Sequence, residues 1–162
     1  MSGTDGFDFD VNMDFSALDA LDELVATATT TEVHAGIIDG SEQYPDGMTV
    51  YDVACINEYG SSDGLRPPER AFIASTVERC SSDWQEMMGN AFAESVASGR
   101  GLKLAPIGKA AKGNIVETID SNLHPHEHNA VSTIKRKHFD HPLIETGRLE
   151  KTVDYIITKK GI

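Results

Sequence analysis

Residues 132–155 read STIKRKHFDHPLIETGRLEKTVDY, and the way this run is parsed decides the fold. Ile134, Lys135, Arg136 and Lys137 make a basic helical turn that leads into a short loop around Phe139, Asp140 and Pro142. The apolar pair Leu143 and Ile144 follows, and then Glu145-Thr146-Gly147. One polar turn over 148–151 feeds a closing strand over 152–158. The rest of the chain reads as the scaffold that holds this run at one edge of a small sheet.

Upstream, residues 2–10 are rich in Gly and Asp and read as a loose end. Phe7, Phe9, Val11 and Met13 alternate with acidic or polar residues, the period of a half-buried strand. Ser16 offers an N-cap for a helix with Leu18, Leu21, Leu24 and Val25 on one side. Asp19, Asp22 and Glu23 suit the positive end of its dipole. The Thr-rich run at 27–31 is expected to end that helix, because β-branched residues favour extended chain. Residues 32–38 then read as a second strand, closed by Asp39-Gly40. His34 within it is the ordinary hydrogen-bonded strand histidine rather than a ligand.

Three helices follow. Thr49, with Asp52 three residues on, predicts a capped helix over 50–59 with Gly60 as its stop. Pro67 and Pro68 are expected to seed the longest helix, over 69–98, since proline is tolerated in a first turn. Its stripe of Phe72, Ile73, Thr76, Val77, Cys80, Trp84, Met87, Met88, Ala91, Phe92 and Val96 reads as core. Gly89 marks a weak point where a bend or a close approach would fit. Leu104, Ile107, Ala111, Ile115 and Ile119 predict a further helix over 106–121, weakened by Gly108 and Gly113. The sum is one α+β domain over 1–162: a small, mostly antiparallel sheet, helices on one face and one long central helix. Residues 121–142 form its His- and Lys/Arg-containing loop region.

Charge is distributed unevenly. The net charge is −12, yet residues 1–65 hold fourteen Asp and Glu with no Lys or Arg, while 135–162 hold seven basic residues against four acidic. Such a dipolar chain suits end-to-end stacking or an oppositely charged partner, and its acidic half would be repelled by nucleic-acid phosphates. No sequence-specific nucleic-acid binding is expected. No apolar run approaches the ~20 residues of a membrane helix, and the acidic N-terminus does not read as a signal peptide. Cys55 and Cys80 read as buried thiols of a protein folded in a reducing cytoplasm.

The one stretch that looks like chemistry is Leu123-His124-Pro125-His126-Glu127-His128. In an extended segment, His124, His126 and His128 would share one side and could hold zinc, nickel or copper. A structural site usually draws its ligands from two elements, however, and a loop is a poor frame for catalysis. These histidines therefore read as loop or interface groups, with metal binding the rival reading. No nucleophile elbow, split carboxylate pair or phosphate loop is present, so neither an enzyme nor a cofactor is expected.

Three blocks carry a resemblance. Residues 132–137 and 142–149 are similar to a signature of the kind ATIKRKG…KPLIDTGxLxxSV-Y, with Glu145 at the usual Asp and His138 where Gly is common. Residues 54–60, ACINEYG, resemble a helix end AxxNEFG, and residues 65–72, LRPPERAF, a segment IPPRPFLR. Together these resemble the virion-morphogenesis or tail-completion (neck) proteins of tailed phages. The resemblance spans roughly residues 32–158. It implies a structural protein of the virion, made in the host cytoplasm and acting at the neck in tail completion or head–tail joining. It also implies a homo-oligomeric ring of six or twelve copies between portal-side connector and tail-tube proteins. On that view Lys135, Arg136, Lys137 and Arg148 dock on a neighbour's carboxylates, while Glu145-Thr146-Gly147 shape the turn before the last strand. A head–tail adaptor or tail terminator of the same junction is the alternative within that class.

Overall fold

The first described helix, α1 (Ser16–Thr30), ends inside the Thr-rich run as expected, but only after Thr27, Thr29 and Thr30 have joined it. The reason is local. The Thr29 and Thr30 hydroxyls donate back to the carbonyls of Val25 and Ala26, which satisfies them inside the helix. The structure, a computed structural model, describes residues 16–61, 67–123, 128–144 and 146–160. The strand expected at Phe7–Met13 lies outside them.

With no intervening residue, Thr30 hands over to strand β1 (Thr31–Ile37). This strand pairs antiparallel with the chain's last element, β2 (Val153–Lys159), in a register running from Thr31↔Lys159 to Ile37↔Val153. The sheet has these two strands among the described residues, so the architecture is a mixed α+β fold of six helices around a small antiparallel sheet. Helix α2 (Val50–Tyr59) has the expected bounds and the expected capping box: the Asp52 amide donates to Thr49 Oγ1 and the Thr49 amide to Asp52 Oδ2, each at 3.1 Å.

The long helix is α3 (Phe72–Ser98), and its start differs from the expectation. Pro67 and Pro68 lie ahead of it rather than in its first turn. The Ser61 amide donates to Pro67 O and the Arg70 amide to Asn57 O, so residues 67–70 are bonded back onto the end of α2. Gly60, at φ 74°, allows this; a Cβ there would stand 3.1 Å from the Glu69 amide nitrogen. Gly99, in the left-handed region, closes the helix. Gly89 shows neither a break nor a close approach: α3 is continuous through it, and a Cβ there would meet nothing within 4 Å.

Helix α4 (Ala105–Asp120) lies between α3 and the sheet. Its Ile115 and Ile119 form the core with Val50, Ala54 and Phe72, and with Leu143, Leu149 and Val153 from the C-terminal run. Gly108 is where β2 comes closest, under the ring of Tyr155. The stripe on α3 is core only in its first half. Phe72, Thr76 and Cys80 are buried, but within that half Val77 is 47% exposed, and in the far half Val96 is 51% exposed.

Three aspartates outside the core hold local structure: Asp52 a helix cap, Asp140 a loop, and Asp154 the contact of β2 with α4. Asp52 is held below its ordinary 3.8 by the Thr49 hydroxyl and amide, and Asp154 by Lys112 and the Tyr155 amide. Asp140 is lowered by the Asn129 amide and by His128. A carboxyl lowered in the folded state contributes stability above its unfolded value and loses it as pH falls through the folded value. Asp52→Asn is therefore expected to lower the thermal midpoint at neutral pH, with the difference from the parent shrinking below about pH 4, where the parent's own carboxyl protonates. A pH series of melting curves checks this; an offset that stays constant into acid would contradict it.

Candidate functional site

The C-terminal run builds one continuous feature from three short elements. Helix α5 (Val131–Lys137) ends in Lys135, Arg136 and Lys137, three cations at the negative end of its dipole. His138 follows as the C-cap at φ 64°, its amide donating to Ile134 O at 2.7 Å. The turn that a glycine would make is thus made here by histidine, at a backbone cost of about 1–2 kcal/mol. His138→Gly is expected to raise unfolding stability by about 1 kcal/mol, read by chemical denaturation. A loss of stability would mean that the ring makes a contact worth more than the strain.

Beyond the turn the chain is pinned on both sides. Lys137 Nζ donates to His141 O at 2.8 Å and lies 5.1 Å from the centre of the Phe139 ring. Asp140 accepts from the Asn129 amide at 2.9 Å and from its side-chain nitrogen at 3.0 Å, while its other oxygen lies 2.5 Å from His128 Nδ1. Leu143 then plugs into the core, and Gly147, at φ 70°, starts α6 (Arg148–Thr152). Leu149 on α6 and Val153 on β2 are both buried in that core. The apolar half of the run is thus packing, and its polar half is what faces outward.

The expected interface residues separate into groups. Lys135, Arg136 and Thr146 are exposed, and so is Val131, 69% exposed on the same helix as the cations. Arg148 is engaged within its own chain: Nε lies 3.3 Å from Glu42 Oε1, Nη1 donates to Gln43 O, and the guanidinium stands 5.4 Å from the centre of the Tyr44 ring. Lys160, 3.7 Å from Glu32, makes a second such link. Part of the attraction between the acidic and basic halves is therefore spent inside the subunit. Glu145 lies outside the described residues, as do His124 and His126 of the suggested metal cluster. His128, the described member, faces Asp140, and the described residues contain no group of three or more metal-ligating side chains.

Comparison with family models, curated proteins and solved structures finds no match. Among the described residues no helix is long and apolar enough to cross a membrane.

Two features were not anticipated from the sequence. Glu58, by sequence a polar residue near the end of α2, is a buried residue that caps the next helix: its two oxygens accept the Ile73 and Ala74 amides at 2.8 and 2.9 Å. Ala71, the N-cap residue of α3, supplies no side-chain cap itself. His34 is exposed, 3.3 Å from Glu32 and 3.1 Å from Thr158 Oγ1 across the ladder, in keeping with a strand-edge histidine. The second feature is an apolar trough of about 470 Å³ between β1, α3 and α4. Its signal was the α3 stripe itself, whose length exceeds what one small sheet can cover.

Proposed function

We propose that this chain is a structural virion protein of a tailed bacteriophage, acting at the neck in tail completion or head–tail joining and assembling as a homo-oligomeric ring. The observation that carries the reading is the order and spacing of three sequence blocks, at 54–60, 65–72 and 132–149, that resemble the tail-completion proteins. Their arrangement within the chain supports it. The first two blocks meet where Asn57 and Glu58 grip residues 70–74, through Arg70 N to Asn57 O and the Glu58 carboxylate. The third supplies Leu143 and Leu149 to the same core. Blocks separated in the sequence thus share one core, to which they contribute Ala54, Phe72, Leu143 and Leu149.

A ring also suits the surface. Identical subunits joined head to tail need two different complementary faces. The exposed Lys135 and Arg136, on the short helix that also exposes Val131, give one end that is basic and partly apolar. The acidic α1, with Leu18, Leu21 and Val25 exposed, gives another of opposite charge. Raising salt from 0.1 to 1 M, which shortens the Debye length from about 10 to about 3 Å, is expected to weaken assembly, read by sedimentation. Lys135→Glu with Arg136→Glu is expected to do so at low salt. The protein should also be found in purified virions, with antibody label at the head–tail junction. Its absence from mature particles would favour an assembly factor that leaves the particle. A tail terminator or head–tail adaptor is the second reading within the class, distinguished by whether free tails or filled heads carry the protein.

A further inference from the structure

Among the described residues β1 is paired along one edge only, by β2, and the chemistry of its other edge is specific. The Lys160 amide donates to Thr30 O, which sets the phase of the ladder. Even-numbered β1 residues therefore bond inward to β2, while Thr31, Val33, Ala35 and Ile37 turn their N–H and C=O groups outward. Unpaired strand edges are templates for another strand. This one also borders the apolar trough, where Val33 and Ala35 face Ala111 of α4 and Val77, Trp84 and Met88 of α3. A cavity of ~150 Å³ accommodates one benzene ring, so about 470 Å³ has room for two or three large side chains. A second hollow of about 240 Å³ shares Ala35 and Ile73 with it and extends the apolar wall along the same edge.

The chain itself carries a matching strand. Residues 7–15 read FDFDVNMDF, with Phe7, Phe9, Val11, Met13 and Phe15 all on one face of an extended segment. We infer that this segment adds to the β1 edge of a neighbouring copy, with its aromatic face in that copy's trough.

The choice of a neighbour over the same chain follows from reach. α1 passes into β1 with no loop, so it cannot fold back over the strand that it feeds. Its 15 residues set Ser16 about 22 Å from Thr31. Coming back over that distance takes about seven extended residues at 3.3 Å each. The run from Phe15 to Phe9 would be used up before it drew level with Val33. In a second copy no such return is needed, and α1 with its exposed Leu18, Leu21 and Val25 becomes the arm that presents the strand. The inference rests on the self-assembly part of the proposed function, but it names a different joint from the charged faces.

Trp84 is the chain's single tryptophan and lines the trough, so its fluorescence reports occupancy. In the full-length protein, Phe9→Asp with Val11→Asp is expected to red-shift Trp84 emission and to lower the sedimenting mass towards the 17.6 kDa monomer. Strand exchange is read directly by mixing two full-length variants, Val11→Cys and a size-tagged Gln85→Cys, under oxidising conditions. A disulfide-linked pair of one tagged and one untagged chain is the expected product. A double variant that cross-links only within one chain would overturn exchange between copies. An assembly whose mass and emission ignore Phe9→Asp with Val11→Asp would overturn the joint while leaving the ring reading intact. A parent protein that stays monomeric at all concentrations would overturn both.

Discussion

Gly108→Ala is expected to destabilise the protein by about 2 kcal/mol, although alanine is the better helix former by about 1 kcal/mol. The reason is the contact between α4 and β2. A Cβ on residue 108 would lie 2.7 Å from Cε2 and 2.8 Å from Cγ of Tyr155, and nearer still to Cδ2. Carbon atoms pack at about 3.5–4.0 Å, so the ring would have to swing out of its place on α4. Tyr155 lies in the middle of β2, paired with Ala35, and a forced shift there would loosen the only ladder in the described sheet. For a chain of this length a loss of 2 kcal/mol lowers the melting temperature by about 4–8 °C. Gly113, on the same helix, is the internal control: a Cβ there meets nothing within 4 Å, so Gly113→Ala is expected to gain up to about 1 kcal/mol. Thermal melts of the two variants side by side decide the matter. If both are stabilising, the ring does not lie where it is described.

Glu58→Ala is expected to cost about 3 kcal/mol. The carboxylate bonds two amides at the start of α3, and hydrogen bonds to charged groups contribute about 1.5–3 kcal/mol each, not fully additively. Removing it leaves those amides without that cap, since Ala71 offers no oxygen of its own. The negative charge at a helix N-terminus adds a favourable dipole term. Glu58→Gln retains one acceptor but places an N–H₂ group against the second amide, so about half the loss is expected. Denaturant titration gives the energies, and hydrogen exchange at the Ile73 and Ala74 amides locates the effect. Little change in either would mean that α3 is held by packing alone.

What the sequence revealed is uneven, and the pattern has physical causes. Helix α2 was legible to the residue, because Thr49, Asp52 and Gly60 are strong local signals that act within one turn. The partnership of β1 and β2 was expected only as a small, mostly antiparallel sheet. Its register depends on 115 residues of intervening chain (between Ile37 and Val153), which no local pattern encodes. The end of α1 was legible only to within the 27–31 run, because threonine back-bonding competes with β-branching and the hydroxyl geometry decides which threonine is the last in the helix. Glu58 was underestimated for a related reason: its partners are fifteen and sixteen residues away, across the 67–71 link.

The candidate site divides in the same way. The cations at 135–137 were legible as a charged helix end, and the structure presents Lys135 and Arg136 at the surface. Arg148 was read from charge alone, and charge does not say whether a carboxylate is supplied by a neighbour or by Glu42 of the same chain. The distal α3 stripe was read as core because periodicity reports an apolar face, not what covers it.

The proposed role at the head–tail junction is tested by electron microscopy of a lysate from a phage with a nonsense mutation in the gene for this protein. Filled heads accumulating apart from tails are expected, with infectivity restored when the missing protein is supplied by mixing. Intact, infectious particles would contradict it.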